Sequence, residues 1–222
     1  MSAPADTLVL RGLSIETRPG RGRCLVATRA FAVGDLLLEE PPYASVVSDG
    51  SSACDACGRQ SASLKRCGGC RLVSFCDASC QRASFLGTHK AECTTLAALR
   101  TKEGRAPPPT LRLLHRFLLR RAQGADEPQQ QQLLQQLVSQ RSTTDQEVLL
   151  SCAQMASLFA SYACTHLASV EEATELLLVL RLNAHTTCDC EACRLLFLAR
   201  RRLTVTRSCG LWAPRCTRWL PW

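Results

Sequence analysis

Residues 54–93 read CDACGRQSASLKRCGGCRLVSFCDASCQRASFLGTHKAEC, and this stretch decides the reading of the whole chain. It contains Cys54-x2-Cys57-x9-Cys67-x2-Cys70-x5-Cys76-x3-Cys80-x8-His89-x3-Cys93. Zinc takes four thiolate or imidazole ligands in a closed structural site, so eight such ligands make two sites. Each x2 pair is a knuckle, where a tight turn aims two thiolates at one ion. Gly68-Gly69 suits the second of these turns. Cys76/Cys80 and His89/Cys93 have i, i+4 spacing, which places both members on one helical face. The expected order is knuckle, knuckle, helical pair, helical pair. Closed sites leave no open coordination position, so the expected role of the metal is structural. The large apolar residues here are Leu64, Leu72, Val73, Phe75, Phe85 and Leu86, too few for a core of their own. Metal binding is therefore expected to carry much of the folding free energy, on the order of 10 kcal/mol per zinc.

Composition supports metal over disulfide. The chain has 222 residues, of which 15 are Cys, with 46% hydrophobic and 21% charged residues. No basic segment followed by a long apolar run opens the sequence, so a reducing, intracellular compartment is expected. The apolar run Leu176 to Leu180 is too short to cross a bilayer, and no membrane association is expected. The net charge of +8 is concentrated after Glu191, where Arg194, Arg200, Arg201, Arg202, Arg207, Arg215 and Arg218 meet no acidic residue. The rest of the chain is close to neutral, which argues against a nucleic-acid-binding face on the folded part.

Outward from the cysteine cluster the pattern changes. Upstream, Leu8-Val9-Leu10, Cys24-Leu25-Val26, Leu36-Leu37-Leu38 and Ala44 to Val47 are short apolar runs. Gly12, Pro19-Gly20, Gly34-Asp35 and Pro41-Pro42 punctuate them as strands. Downstream, Gly104 to Pro109 is a linker. Leu111, Leu114 and Leu118 then mark a helix with Thr110 as its N-cap. Leu133, Leu134, Leu137 and Val138 share one face of a Gln-rich helix, and residues 145–163 and 171–182 continue helical. Cys152 and Cys164 are expected as buried small hydrophobes, and His115, His166 and His185 as packed or solvated side chains. The fold class is α+β. The segments are 1–48, 49–96, 97–183 and 184–222.

The ligand string, with Ser-Phe-Cys-Asp-Ala-Ser-Cys-Gln (74–81) and His-Lys-Ala-Glu-Cys (89–93), resembles a MYND finger. The resemblance implies interleaved zinc sites, Cys54, Cys57, Cys76 and Cys80 for one, and Cys67, Cys70, His89 and Cys93 for the other. It also implies binding of proline-containing peptides, with Gln81 facing the peptide. The family's Trp before the His is missing and the Cys80 to His89 gap is one residue longer, with Phe85 as a substitute aromatic. Residues 19–42 resemble the opening of a SET domain. A SET opening, a MYND finger and a helical segment follow one another in the SMYD family of protein-lysine methyltransferases. That resemblance covers residues 7 to about 183. It implies a split SET domain around the finger, S-adenosylmethionine as cofactor and lysine-bearing proteins such as histones as substrates. It also implies a cytoplasmic and nuclear location. Arg21, Gly22, Arg23 and Asn183 would line the cofactor.

The family's Asn-His-Ser-Cys cofactor motif and its Glu-Leu-x-x-Asp-Tyr stretch do not occur in these 222 residues. Cys188, Cys190 and Cys193 resemble the post-SET cysteines; Cys209 or Cys216 could serve as fourth ligand, but any third zinc there is expected to be weak. Residues 194–222 are expected to be irregular. The expectation is a methyltransferase relative impaired in catalysis. The alternative is a non-enzymatic zinc-finger module that binds proline-containing peptides of partner proteins.

Overall fold

The computed structural model describes residues 12–19, 22–38, 42–47, 52–124, 126, 131, 134–164, 166–187, 195–198 and 203–204. Helices and short strands mix as an α+β fold. Strands β1 (Leu13–Arg18) and β2 (Gly22–Ala27) form an antiparallel hairpin in which Arg18 pairs with Gly22. Strand β3 (Leu36–Leu38) pairs with β9 (Leu203–Thr204). Strand β4 (Ala44–Val47) lies at the edge of a three-stranded antiparallel sheet. Strand β8 (Leu195–Leu198) is at its centre and β7 (Ala184–Thr187) on the far side. The short strands β5 (Lys65–Arg66) and β6 (Ser74–Phe75) belong to the cysteine-rich stretch.

Strands β8 and β9 differ from the expectation of an irregular end beyond Arg194. The Leu-Leu-Phe-Leu run at 195–198 pairs on both sides, with Leu195 opposite Val47 and Thr187. Strand β1 is a second addition, since LSIETR holds only two large apolar residues. Leu8 to Leu10, Arg21, Leu133, Cys188, Cys190, Cys193, Cys209, Cys216 and the three tryptophans lie outside the described residues.

The helices run in order. Helix α1 (Ala78–Ser84) leads through a wide turn, Phe85–His89, into α2 (Lys90–Glu103). Gly104 ends α2 in the left-handed region at φ 72° and gives its N–H to Arg100 O. Helix α3 (Pro109–Ala122) starts two residues earlier than a Thr110 cap implies. Pro108 precedes it and Pro109 fills its first turn, so Thr110 is not its N-cap. Helix α4 (Gln146–Phe159) continues as a wide turn through Cys164, and α5 (Val170–Asn183) leads into β7. The single Gln-rich helical face does not extend as expected. Residues 137–140 are not helical, and Val138 is exposed.

One core joins β4, α3, α4 and α5. Leu111, Leu113, Leu114, Phe117 and Leu118 of α3 meet Val46, Ala156, Phe159, Leu177, Leu178 and Leu180. Cys152 and Cys164 are buried in it, as small hydrophobes. His115 is buried edge-on to Phe159, and burial pushes its pKa down to about 4. Every residue of α3 from Leu111 to Leu119 is buried. An all-round buried helix is ordinarily apolar all round. This one carries Arg112 and Arg116 inside, and they connect the body to the finger.

Candidate metal centre

The two knuckles are the same turn built twice. Gly58 N–H reaches Cys54 O at 2.8 Å, and Arg71 N–H reaches Cys67 O at 3.0 Å. The residue after the second cysteine is left-handed in both, Gly58 at φ 71° and Arg71 at φ 58°. Glycine permissiveness was expected at 68–69, but neither has a positive φ. Gly69 serves another need: a Cβ there would stand 2.9 Å from Cys93 Sγ. Only a glycine backbone lets the second knuckle approach the thiol of α2 so closely.

The helical pairs also differ from expectation. Cys76 follows β6 and lies outside α1. Asp77 caps that helix by accepting the Cys80 N–H at 2.8 Å, so cap and ligand share one turn. His89 ends the wide turn and Cys93 lies in α2. Gly87 departs from helical backbone there, at φ −77° and ψ −120°.

These elements bring eight ligand atoms into two groups. Cys54, Cys57, Cys76 and Cys80 form one, and Cys67, Cys70, His89 and Cys93 the other, each with its atoms within 4.8 Å of one another. Tetrahedral zinc at about 2.3 Å from sulfur separates two thiolates by about 3.8 Å, and a thiolate from an imidazole nitrogen by about 3.6 Å. Cys57 Sγ lies 3.7 Å from Cys76 Sγ, and Cys67 Sγ 3.8 Å from Cys93 Sγ. His89 Nε2 is 3.4 Å from Cys67 Sγ and 4.0 Å from Cys70 Sγ. Donor chemistry and spacing both fit zinc.

The electrostatics of each group favour a cation at its centre. Burial alone would raise the Cys67 thiol, but hydrogen bonds from His89 and from the Cys70 and Gly69 N–H groups outweigh it and bring it to about 6. Cys54 falls to about 7 through the Cys57, Cys76 and Ala56 N–H groups, again against burial. Burial and the neighbouring Cys54 and Cys57 push Cys76 up to about 11 and Cys80 to about 12. The first thiolates thus oppose the later ones, and a dication relieves that repulsion.

The rest of the finger packs around these ligands. Cys54, Cys67 and Cys70 are buried with Val73, Phe75 and Leu96, and the other half-buried thiols pack against them. Phe85 and Leu86 point outward from the wide turn, Leu86 with 85% of its surface exposed. Gln81 is exposed on α1.

A buried ionic cluster joins the finger to α3. Glu92 accepts from Arg112 Nε at 3.1 Å and from Arg116 Nε and Nη2 at 2.9 and 2.6 Å. It also faces His89 Nδ1 at 3.3 Å. A ligating imidazole whose other nitrogen meets a carboxylate is fixed in orientation and tautomer. Asp55, beside Cys54, accepts from Arg112 Nη2 at 3.3 Å and from Arg116 Nη2. Arg116 and then Arg112 hold the Glu92 carboxyl well below its ordinary range despite full burial. Asp55, His89 and Glu92 also converge as a metal-like triad, but the two guanidinium groups already supply its positive charge. The composition reading missed this cluster. Its available signal was the i, i+4 spacing of Arg112, Arg116 and Arg120 beside a leucine stripe.

Of the cofactor residues expected from the resemblance, Gly22 and Arg23 lie on β2 and Asn183 on α5. Gly22 starts β2 as the partner of Arg18, and Arg21 lies outside the described residues. Asn183 ends α5, and its amide donates to Val179 O of its own helix at 2.8 Å.

A model of the MYND finger matches residues 54–93. Histone-lysine N-methyltransferase ASHR1 of Arabidopsis thaliana is 31% identical over 189 residues, 82% of this chain and 39% of the relative. The chain belongs to the SMYD family. Other members align over shorter stretches. N-lysine methyltransferase SMYD2 of Gallus gallus is 35% identical over 125 residues, 55% of this chain and 28% of the relative. Histone-lysine N-methyltransferase Smyd1 of Mus musculus is 34% identical over 113 residues, 50% of this chain and 22% of the relative. The chain spans less than half the length of these SMYD relatives. No described helix is long and apolar enough to cross a membrane.

Proposed function

We propose that this chain is a zinc-dependent SMYD protein that engages lysine-bearing protein substrates such as histones. In this reading its methyl transfer, as a 222-residue polypeptide, is impaired. The observation that carries this is the 31% identity to a histone-lysine methyltransferase along 82% of the chain. The two Cys/His groups act as cross-links with four protein ligands each, so they leave no position for a substrate. S-adenosylmethionine would supply an electrophilic methyl group. Arg21 and Arg23 would meet its carboxylate, Gly22 would let backbone approach, and Asn183 would line the cofactor. Asn183 would first have to release Val179 O. Transfer requires sulfonium and amine held in line in a dry channel. The sequence has no Asn-His-Ser-Cys motif to complete that cleft. The reading places the protein in cytoplasm and nucleus.

The test is transfer of labelled methyl to a panel of histones and other lysine-rich proteins, with calorimetry of S-adenosylmethionine in parallel. Binding at about 1 mM or weaker, some 4 kcal/mol, is expected together with little transfer. Micromolar binding with robust lysine methylation would overturn the impairment.

A further inference from the structure

Helix α3 carries Arg112, Arg116 and Arg120 at successive i, i+4 positions, and strand β4 answers with alternate carbonyls. Arg112 Nη1 donates to Val47 O at 3.2 Å, Arg116 Nη1 to Ser45 O at 2.6 Å, and Arg120 Nη1 to Tyr43 O at 2.6 Å. A helix advances about 6 Å in four residues and a strand about 6.6 Å in two, so the two ladders run in step. Carbonyls 43, 45 and 47 lie on one edge of β4, while its other edge pairs with β8.

The remaining nitrogens of two of these arginines are held by the finger. Arg112 and Arg116 share Glu92 and Asp55. Glu92 precedes the ligand Cys93 and holds His89 Nδ1, while Asp55 follows the ligand Cys54. Four charged residues, each at most 5% exposed, therefore link two metal sites to one strand edge. Such a cluster has few stable arrangements, because each buried charge depends on the others.

We propose that Arg112 and Arg116 are positioning residues that transmit the metal state of the finger to strand β4. With both sites filled, Glu92 and Asp55 are fixed and the guanidinium forks sit on Ser45 O and Val47 O. When His89 and Cys54 lose their respective ions, Glu92 and Asp55 are no longer held in place. The forks then leave the strand, and β4 loosens while the α4–α5 core stays packed. This rests on the zinc reading, so the zinc content is measured in every sample.

The experiment is amide hydrogen exchange on the full chain, before and after graded zinc removal by a chelator. Peptides covering 44–47 are compared with peptides covering 173–180 in α5. In the parent chain, zinc removal should raise exchange of 44–47 at least about tenfold and that of 173–180 less than about twofold. In Arg116→Met, exchange of 44–47 should be raised with zinc still bound and should change little on its removal. If Arg116→Met does not fold, Arg116→Lys, which keeps the charge and loses the fork, takes its place with the same expected result. Equal loosening of both regions would overturn the proposal, since that is global unfolding. So would an unchanged 44–47 after complete removal, or the same zinc response in the arginine variants as in the parent. A preparation that never holds zinc would instead refute the metal reading.

Discussion

The finger and the helical body solve the same problem with different materials. In the body, apolar side chains of α3, α4, α5 and β4 exclude water from one another. In the finger, the buried centre is largely sulfur, with Val73, Phe75 and Leu96 as its apolar members. A body core loses its stability a side chain at a time, and its cost scales with the volume removed. A ligand-built core fails as a unit, since three ligands hold an ion far less well than four. The comparison teaches that a composition-based account of the finger's stability would miss its main contribution.

The largest expected effect is on the finger. Cys67→Ala should lower zinc content and unfold residues 54–93, at a cost on the order of 10 kcal/mol for the metal lost. Elemental analysis of the parent should give two zincs per chain. Cys152→Ala should leave that number unchanged, because Cys152 belongs to the body. A parent with one zinc or none would break the comparison.

An intermediate effect is expected in the body. Leu114→Ala removes a fully buried side chain and should cost about 3 kcal/mol in denaturant unfolding with zinc content intact. Loss of zinc in that variant would mean that the two cores are not separable in this way.

The smallest effect sharpens the comparison through pH. Burial holds His115 neutral in the fold, with its pKa at about 4, while the unfolded chain protonates it at about 6.5. The unfolded state therefore binds more protons between these values. The stabilisation is complete above about pH 6.5 and is lost as pH falls toward 4. Between pH 7 and pH 5 the change is about 2 kcal/mol. Acid also releases zinc, so the informative quantity is the difference between the parent and His115→Phe. The variant should show a shallower loss by about that amount.

How legible the molecule was depended on distance along the chain. The metal ligands lie within 40 residues and obey local spacing, so the sequence alone placed them. Strands β2, β3 and β4 and helices α4 and α5 followed from apolar runs and periodicity. The ionic cluster did not, because Arg116 meets Glu92 across 24 residues and Asp55 across 61. Charged side chains in a helix ordinarily read as a solvated face, and only tertiary packing turns this face inward. Strand β8 was hidden for a related reason. Its four apolar residues are flanked by arginines, and pairing with β4 and β7 is a long-range event that local composition does not carry.

The arginine ladder has a further consequence for the solution behaviour of the protein. Among the described residues, β4 is an edge strand, and an edge with open carbonyls is a template for adding another chain. Here Tyr43, Ser45 and Val47 present their carbonyls to guanidinium groups, and a foreign strand finds no acceptor to pair with. Side chains end the sheet as a neighbouring strand would, but without offering a new edge in turn. A protein stripped of its metal would reopen that edge, and the symptom in the tube would be sheet-driven clumping.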